Sequence, residues 1–105
     1  MKRGEVWWHE PSEGEEKVRP VVILTRNEAI DRLNKLVVAP ATGSIWGIPT
    51  EVEVWRKEGM PHDSVISLDN TALVRKSELT ERITELGAAK MDEVCRALAA
   101  ATSCG

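Results

Sequence analysis

Arg19 and Thr42 are the residues of this 105-residue chain whose types and surroundings point most directly to chemistry. Arg19 stands in Val18-Arg19-Pro20-Val21-Val22 and Thr42 closes Pro40-Ala41-Thr42, each at the end of an apolar run. A guanidinium presents five donors in a planar, permanently charged fork. It enters an apolar run where it has an oxyanion to bind, phosphate being the commonest. The threonine hydroxyl could stand beside it. The plainer alternative is a solvated arginine at a strand start and a threonine in a turn.

Proton transfer is most often the work of histidine. The chain has only His9 and His62, and no tyrosine. His9 adjoins Glu10 and His62 adjoins Asp63. Adjacent pairs in turns lack the i, i+4 spacing of a metal site, so both histidines read as surface residues. Cys95 and Cys104 lie nine positions apart in a segment that reads as helix. That is roughly 13 Å at the helical rise, too far for a disulfide, and free thiols suit a reducing, cytoplasmic compartment. Fourteen basic against seventeen acidic residues leave a formal charge of −3. Undirected nucleic-acid binding is thereby disfavoured, while local phosphate contacts stay open. Lys2 and Arg3 lead into Glu5, His9 and Glu10, a pattern with neither signal peptide nor membrane span.

A chain of this length fits one domain, 1–105, with one core. Gly4 to His9 reads as a strand whose neighbours Trp7 and Trp8 face opposite ways, one toward the core and one available. A first loop, Glu10-Pro11-Ser12-Glu13-Gly14-Glu15-Glu16, follows. Val18 to Leu24 and Leu36 to Ala41 are near-continuous apolar runs, as expected of central strands covered on both faces. Between them, Thr25-Arg26-Asn27-Glu28 has the spacing of a capping box and predicts a short helix through Leu33, with Ile30 and Leu33 on one side. Gly43 to Pro49 is a second loop around Trp46. Thr50 to Trp55 alternates as a half-wet strand, Arg56 to His62 is a turn, and Ser64–Leu68 and Thr71–Val74 are short strands. Lys76 to Thr84 contains a helical turn or an edge strand. From Ala88 to about Thr102, the residues Met91, Val94, Cys95, Leu98 and Thr102 form the stripe of an amphipathic helix. Strands with a covering C-terminal helix predict an α+β fold.

Four segments in this order, Lys2-Arg3-Gly4-Glu5-Val6-Trp7-Trp8, Val18 to Thr25, Val37 to Thr42 and Asp63 to Asn70, resemble the MazF/PemK family of toxin endoribonucleases. The resemblance runs from Lys2 to about Leu98. It implies a small, strongly curved, barrel-like antiparallel sheet with short helices, of the kind shared with CcdB. It also implies metal-independent, sequence-selective cleavage of single-stranded RNA to 2′,3′-cyclic phosphate and 5′-hydroxyl ends, with no cofactor. A homodimer and a cognate antitoxin whose C-terminal segment lies across the RNA groove are implied as well.

On this resemblance the catalytic pair falls on Arg19 and Thr42. Arg19 would stabilise charge on the phosphorane and serve as proton donor, and Thr42 would hold a phosphate oxygen or the 2′-hydroxyl. A guanidinium, with a pKa above about 12, offers almost no free base at neutral pH, so the general base is unassigned. Lys17 and Arg26, near the ends of Arg19's strand, could bind flanking phosphates. Ser44 and Trp46 in the second loop, with Ser64, Asp69 and Asn70, would complete the RNA-binding set. Trp46 offers a stacking platform, its alternative role being to close the core edge, and Asn70 a donor and acceptor for a base edge.

Two departures from the family pattern stand out. Ala72 occupies a position where many relatives carry a basic residue. The first loop brings Glu10, Glu13, Glu15 and Glu16 close before Arg19, so it should swing away from the site or act as a brake. A reading of another class is a CcdB-like toxin that binds a protein such as gyrase through residues 88–105, leaving Arg19 dispensable. A third is a degenerate nuclease that binds RNA without cutting it.

Overall fold

The apolar runs around Val21 and Val38 form the middle of one antiparallel sheet. The computed structural model describes residues 1–14 and 17–104. In chain order the elements are β1 (Glu5–His9), β2 (Arg19–Ile23), α1 (Asn27–Ile30), β3 (Lys35–Thr42), β4 (Glu51–Val54), β5 (Ser64–Ser67), β6 (Ala72–Arg75), β7 (Leu79–Glu85) and α2 (Ala88–Thr102). Single 3-10 turns occupy Arg56–Glu58, Leu68–Asn70 and Lys76–Glu78. The fold is α+β, with the sheet in the order β4-β5-β3-β2-β1-β7 and β6 also paired to β3. Its edges β4 and β7 are not paired with each other, so the curvature stops short of a closed barrel.

Strand β3 produces the curvature. One edge pairs with β2 through Val38, Ala39 and Pro40, while its other edge is shared between β6 along Lys35–Val38 and β5 at Ala41 and Thr42. A strand with two partners on one edge bends between them. Alternation along β1, β2 and β3 then divides the core in two. Val6, Val22, Ala39 and Ala41 face a larger cluster closed by β4, β5 and α2. Val21, Ile23, Leu36 and Val38 face a smaller one, joined by Ile30, Val74, Leu79 and Trp7. α2 seals the first face, and among the described residues no comparable helix covers the second.

Several sequence expectations change on folding. Thr25 caps no helix: its Oγ1 accepts the Val37 amide at 2.8 Å, and α1 begins after Arg26 without a side-chain cap. α1 is a single turn ending at Ile30, and Leu33 is exposed. Trp7 and Trp8 are both half-buried, Trp7 donating from Nε1 to Glu5 Oε1 at 3.0 Å. On α2 the packed stripe is Met91, Val94, Ala97, Leu98 and Ala101, whereas Cys95 and Thr102 are exposed. Cys95 lies on the exposed side, where the Arg3 Nη2 is 3.1 Å from its sulfur. Both thiols are free, and no described helix is long and apolar enough to cross a membrane.

Candidate active site

The less covered face of the sheet opens into a cavity of about 860 Å3, and the ends of β1, β2 and β3 supply its floor. His9 pairs with Arg19 across β1 and β2. The β2–β3 register, which runs from Ile23 opposite Val38 to Val21 opposite Pro40, brings Arg19 level with Thr42 when carried two residues further. Directly opposed residues in an antiparallel sheet present their side chains to the same face. His9, Arg19 and Thr42 therefore form a row across three strands, and all three line the cavity.

The wall fixes Thr42 in one direction. Its Oγ1 accepts the Ser44 amide at 3.2 Å, which leaves the hydroxyl proton free to be donated. Glu51 holds the second loop, its Oε1 accepting the amides of Trp46 at 3.0 Å and Gly47 at 2.9 Å. Trp46 is 78% exposed on that loop and borders the cavity, so it does not close the core. Asp69 Oδ2 accepts the Thr50 hydroxyl at 2.6 Å, and Asn70 Nδ2 donates to Ser67 Oγ at 2.8 Å.

Charge in this cavity is distributed differently from charge in the chain. Among the described residues four acids border it: Glu13, Glu51, Asp69 and Glu78. Glu51, Asp69 and Glu78 already accept hydrogen bonds from the wall. Lys17, Arg19, Lys35 and Arg75 border it too, and among the described residues none of these four cationic side chains has an ion-pair or hydrogen-bond partner. Three of the four acids are committed to structure and the cations are not. Among the described residues the four acids and four cations balance in formal charge, against −3 for the chain, and a polyanion entering the cavity meets cationic groups whose donors are unspent.

Of the residues singled out in the sequence, Arg19, Thr42, Lys17, Ser44, Trp46, Asp69 and Asn70 come together here. Arg26 does not: it lies three residues beyond the far end of β2, at the start of α1, and does not line the cavity. Ser64 does not either. It is buried and faces the larger core beside Val54, its hydroxyl donating to the His62 carbonyl oxygen at 3.1 Å. Strand alternation gives the cavity-facing place to Ser67, three positions on. Lys35 and Arg75, directly opposed on β3 and β6, add positive charge near Ala72.

His9 departs furthest from expectation. It is 8% exposed rather than on the surface, and its Nε2 lies 3.1 Å from Glu78 Oε1. Glu78 Oε2 accepts the Ser12 hydroxyl at 2.6 Å and the Ser12 amide at 3.1 Å. The Ser12 hydroxyl, then His9 and the Ser12 amide, hold the Glu78 carboxyl down at about 2, against the opposing effect of burial. Glu5, on the same face, behaves similarly: burial would raise it, but hydrogen bonds from Trp7, the Lys2 amide and Arg82 outweigh that and lower it. Because Glu78 anchors Ser12 and Glu13 borders the cavity, the first part of the acidic loop stays at the site instead of swinging away. Glu15 and Glu16 lie outside the described residues.

Residues 2–102 match the family described as the PemK-like, MazF-like toxin of type II toxin-antitoxin systems. The chain is 35% identical over 105 residues to a protein of Mycobacterium tuberculosis named probable endoribonuclease MazF2, covering 99% of this chain and 100% of that one. It is 39% identical over 103 residues to the same organism's probable endoribonuclease MazF5, covering 97% and 93%. Among solved structures, Mycobacterium tuberculosis toxin MazF-mt6 superimposes with a TM-score of 0.85 at 31% identity, over 94% of this chain and 96% of that chain. With a family match across nearly its whole length, the chain belongs to the PemK-like, MazF-like toxins of type II toxin-antitoxin systems.

Proposed function

We propose that this protein is the toxin of a toxin-antitoxin pair and acts as a metal-independent endoribonuclease on single-stranded RNA. The observation that carries the reading is that Arg19 and Thr42 line one cavity whose four cations have no partner among the described residues. Arg19 points its donors at the phosphate under attack, where a preorganised donor to a developing oxyanion contributes about 3–4 kcal/mol. Thr42, already accepting the Ser44 amide, donates its hydroxyl proton to a phosphate oxygen. Trp46 stacks an unpaired base, and Lys17, Lys35 and Arg75 take neighbouring phosphates. Attack by the 2′-hydroxyl leaves a 2′,3′-cyclic phosphate and a 5′-hydroxyl.

The relatives named endoribonuclease favour this reading over a gyrase-type protein target. The toxin works in the cytoplasm as a homodimer, and its antitoxin lays an acidic segment over the same cations. Incubation of the purified protein with single-stranded RNA in EDTA tests the assignment. Wild type cleaves, and Arg19→Ala is slower by about 10²-fold or more. An inert wild type, or an Arg19→Ala variant that cuts undiminished, overturns it.

A further inference from the structure

The row of His9, Arg19 and Thr42 contains one group for which the proposed chemistry has no assigned role. His9 is nearly buried, faces the cavity and stands directly opposite Arg19. Two irregularities in the β1–β7 ladder set it there. Trp7 pairs with Arg82 and Val6 with Thr84, and the next shift falls between Trp8 opposite Glu81 and His9 opposite Leu79. A bulge re-aims the side chain beside it and is common next to active sites. Here the second shift brings His9 to the start of β7, where Glu78 reaches its ring and the Glu10 amide donates to the Glu78 carbonyl oxygen at 2.9 Å.

The hydrogen bonds determine which nitrogen is available. Glu78 stays ionised at neutral pH and can only accept, so Nε2 of a neutral His9 carries the proton and donates it to Oε1. Nδ1 then bears the lone pair. Among the described residues Nδ1 has no partner, and no buried side-chain nitrogen is left without one, so Nδ1 is not sealed from solvent. Ser12 ties the other carboxylate oxygen and keeps Glu78, and through it the imidazole, from rotating. A base oriented by a carboxylate, itself fixed by a third group, is the arrangement that activates hydroxyl nucleophiles in unrelated hydrolases.

We propose that His9 is the general base of the cleavage reaction and that Glu78 and Ser12 are its positioning residues. The proposal rests on the endoribonuclease reading above and supplies what that reading lacks. His9 Nδ1 takes the proton of the 2′-hydroxyl as the 2′-oxygen bonds to phosphorus. The bond from phosphorus to the 5′-oxygen breaks, and that oxygen takes a proton from Arg19, which regains one from water. His9 then returns its own proton to water, and the products are the cyclic phosphate and the 5′-hydroxyl.

Single-turnover cleavage in EDTA across a pH series, beside binding of an RNA carrying a 2′-deoxy group at the scissile nucleotide, separates the possible outcomes. His9→Gln keeps a hydrogen bond to Glu78 and should bind this uncleavable RNA like wild type. Its cleavage rate should fall about 10²–10⁴-fold, and the acid limb of the wild-type pH profile should disappear. His9→Ala should regain part of its rate when imidazole is added. A His9→Gln variant that cuts within about ten-fold of wild type and keeps the acid limb overturns the assignment. Loss of RNA binding in both variants with no rescue by imidazole gives His9 a structural role only and also overturns it. If wild type itself leaves RNA intact, the endoribonuclease reading fails first, and the base with it.

Discussion

The Ser44 amide donates to Thr42 Oγ1 at 3.2 Å, so the second loop fixes the direction of the hydroxyl that closes β3. An acceptor satisfied by backbone leaves one proton to give, and Thr42 lines the same cavity as Arg19. Thr42→Val, which keeps the shape and removes the hydroxyl, should lower kcat about 10²-fold. Thr42→Ser should retain most of the rate. Equal rates for the valine and serine variants in single-turnover cleavage would remove Thr42 from the chemistry.

Trp46 is held by its backbone and free at its ring. Glu51 fixes the two amides, while the indole is 78% exposed. Truncation therefore costs little stability and removes a stacking face. Trp46→Ala should weaken binding of single-stranded RNA by about 1–3 kcal/mol, read by fluorescence anisotropy, with a much smaller change in melting temperature. An unchanged Kd would show that bases pass this loop without touching it.

Lys35 and Arg75 are direct cross-strand partners of like charge. Such a pair opposes folding by a few tenths of a kcal/mol up to about 1 kcal/mol, so binding and stability should respond in opposite directions. Arg75→Ser should raise the melting temperature slightly. It should also flatten the slope of log K against log salt by about 0.7 if the arginine neutralises one phosphate of a single strand. A slope equal to that of wild type would remove this end of the cavity from the RNA path.

Glu78 makes stability depend on pH. Its carboxyl sits at about 2 in the folded chain against an ordinary 4.5, a depressed value. The contribution is therefore complete above the unfolded value and is lost as pH falls through the folded one. In urea denaturation, Glu78→Gln should be less stable than wild type above pH 4.5, and the gap should close as pH approaches 2. A gap that is constant over that interval would mean that the Ser12 and His9 hydrogen bonds do not set the charge of this group.

The elements that are local in the chain were legible before folding. Apolar β-branched runs specify β2 and β3, strict alternation specifies β4, and a helical period specifies α2, because each pattern concerns neighbours a few positions apart. Arg19 and Thr42 stood out for the same reason, as polar residues ending apolar runs. Which side of a strand a residue takes depends on register, and register is a property of the pair of strands. That is why Ser64 turned to the core and Ser67 to the cavity, and why Thr25 gave its oxygen to Val37 instead of to a helix.

The charge of the site followed the same division. Composition gives −3, but only folding engages Glu51, Asp69 and Glu78 in hydrogen bonds while leaving Lys17, Arg19, Lys35 and Arg75 uncommitted. His9 is the clearest case. Beside Glu10 in the sequence it reads as a surface histidine. Its actual partner, Glu78, is 69 residues away and reaches it through a shift in the β1–β7 ladder. The sequence by itself determined the family and the strand cores and singled out Arg19 and Thr42 as candidates, since these reside in residue type and short spacing. Only the tertiary structure decided which side chains share the cavity and which histidine nitrogen Glu78 engages, because those depend on strands brought together across most of the chain.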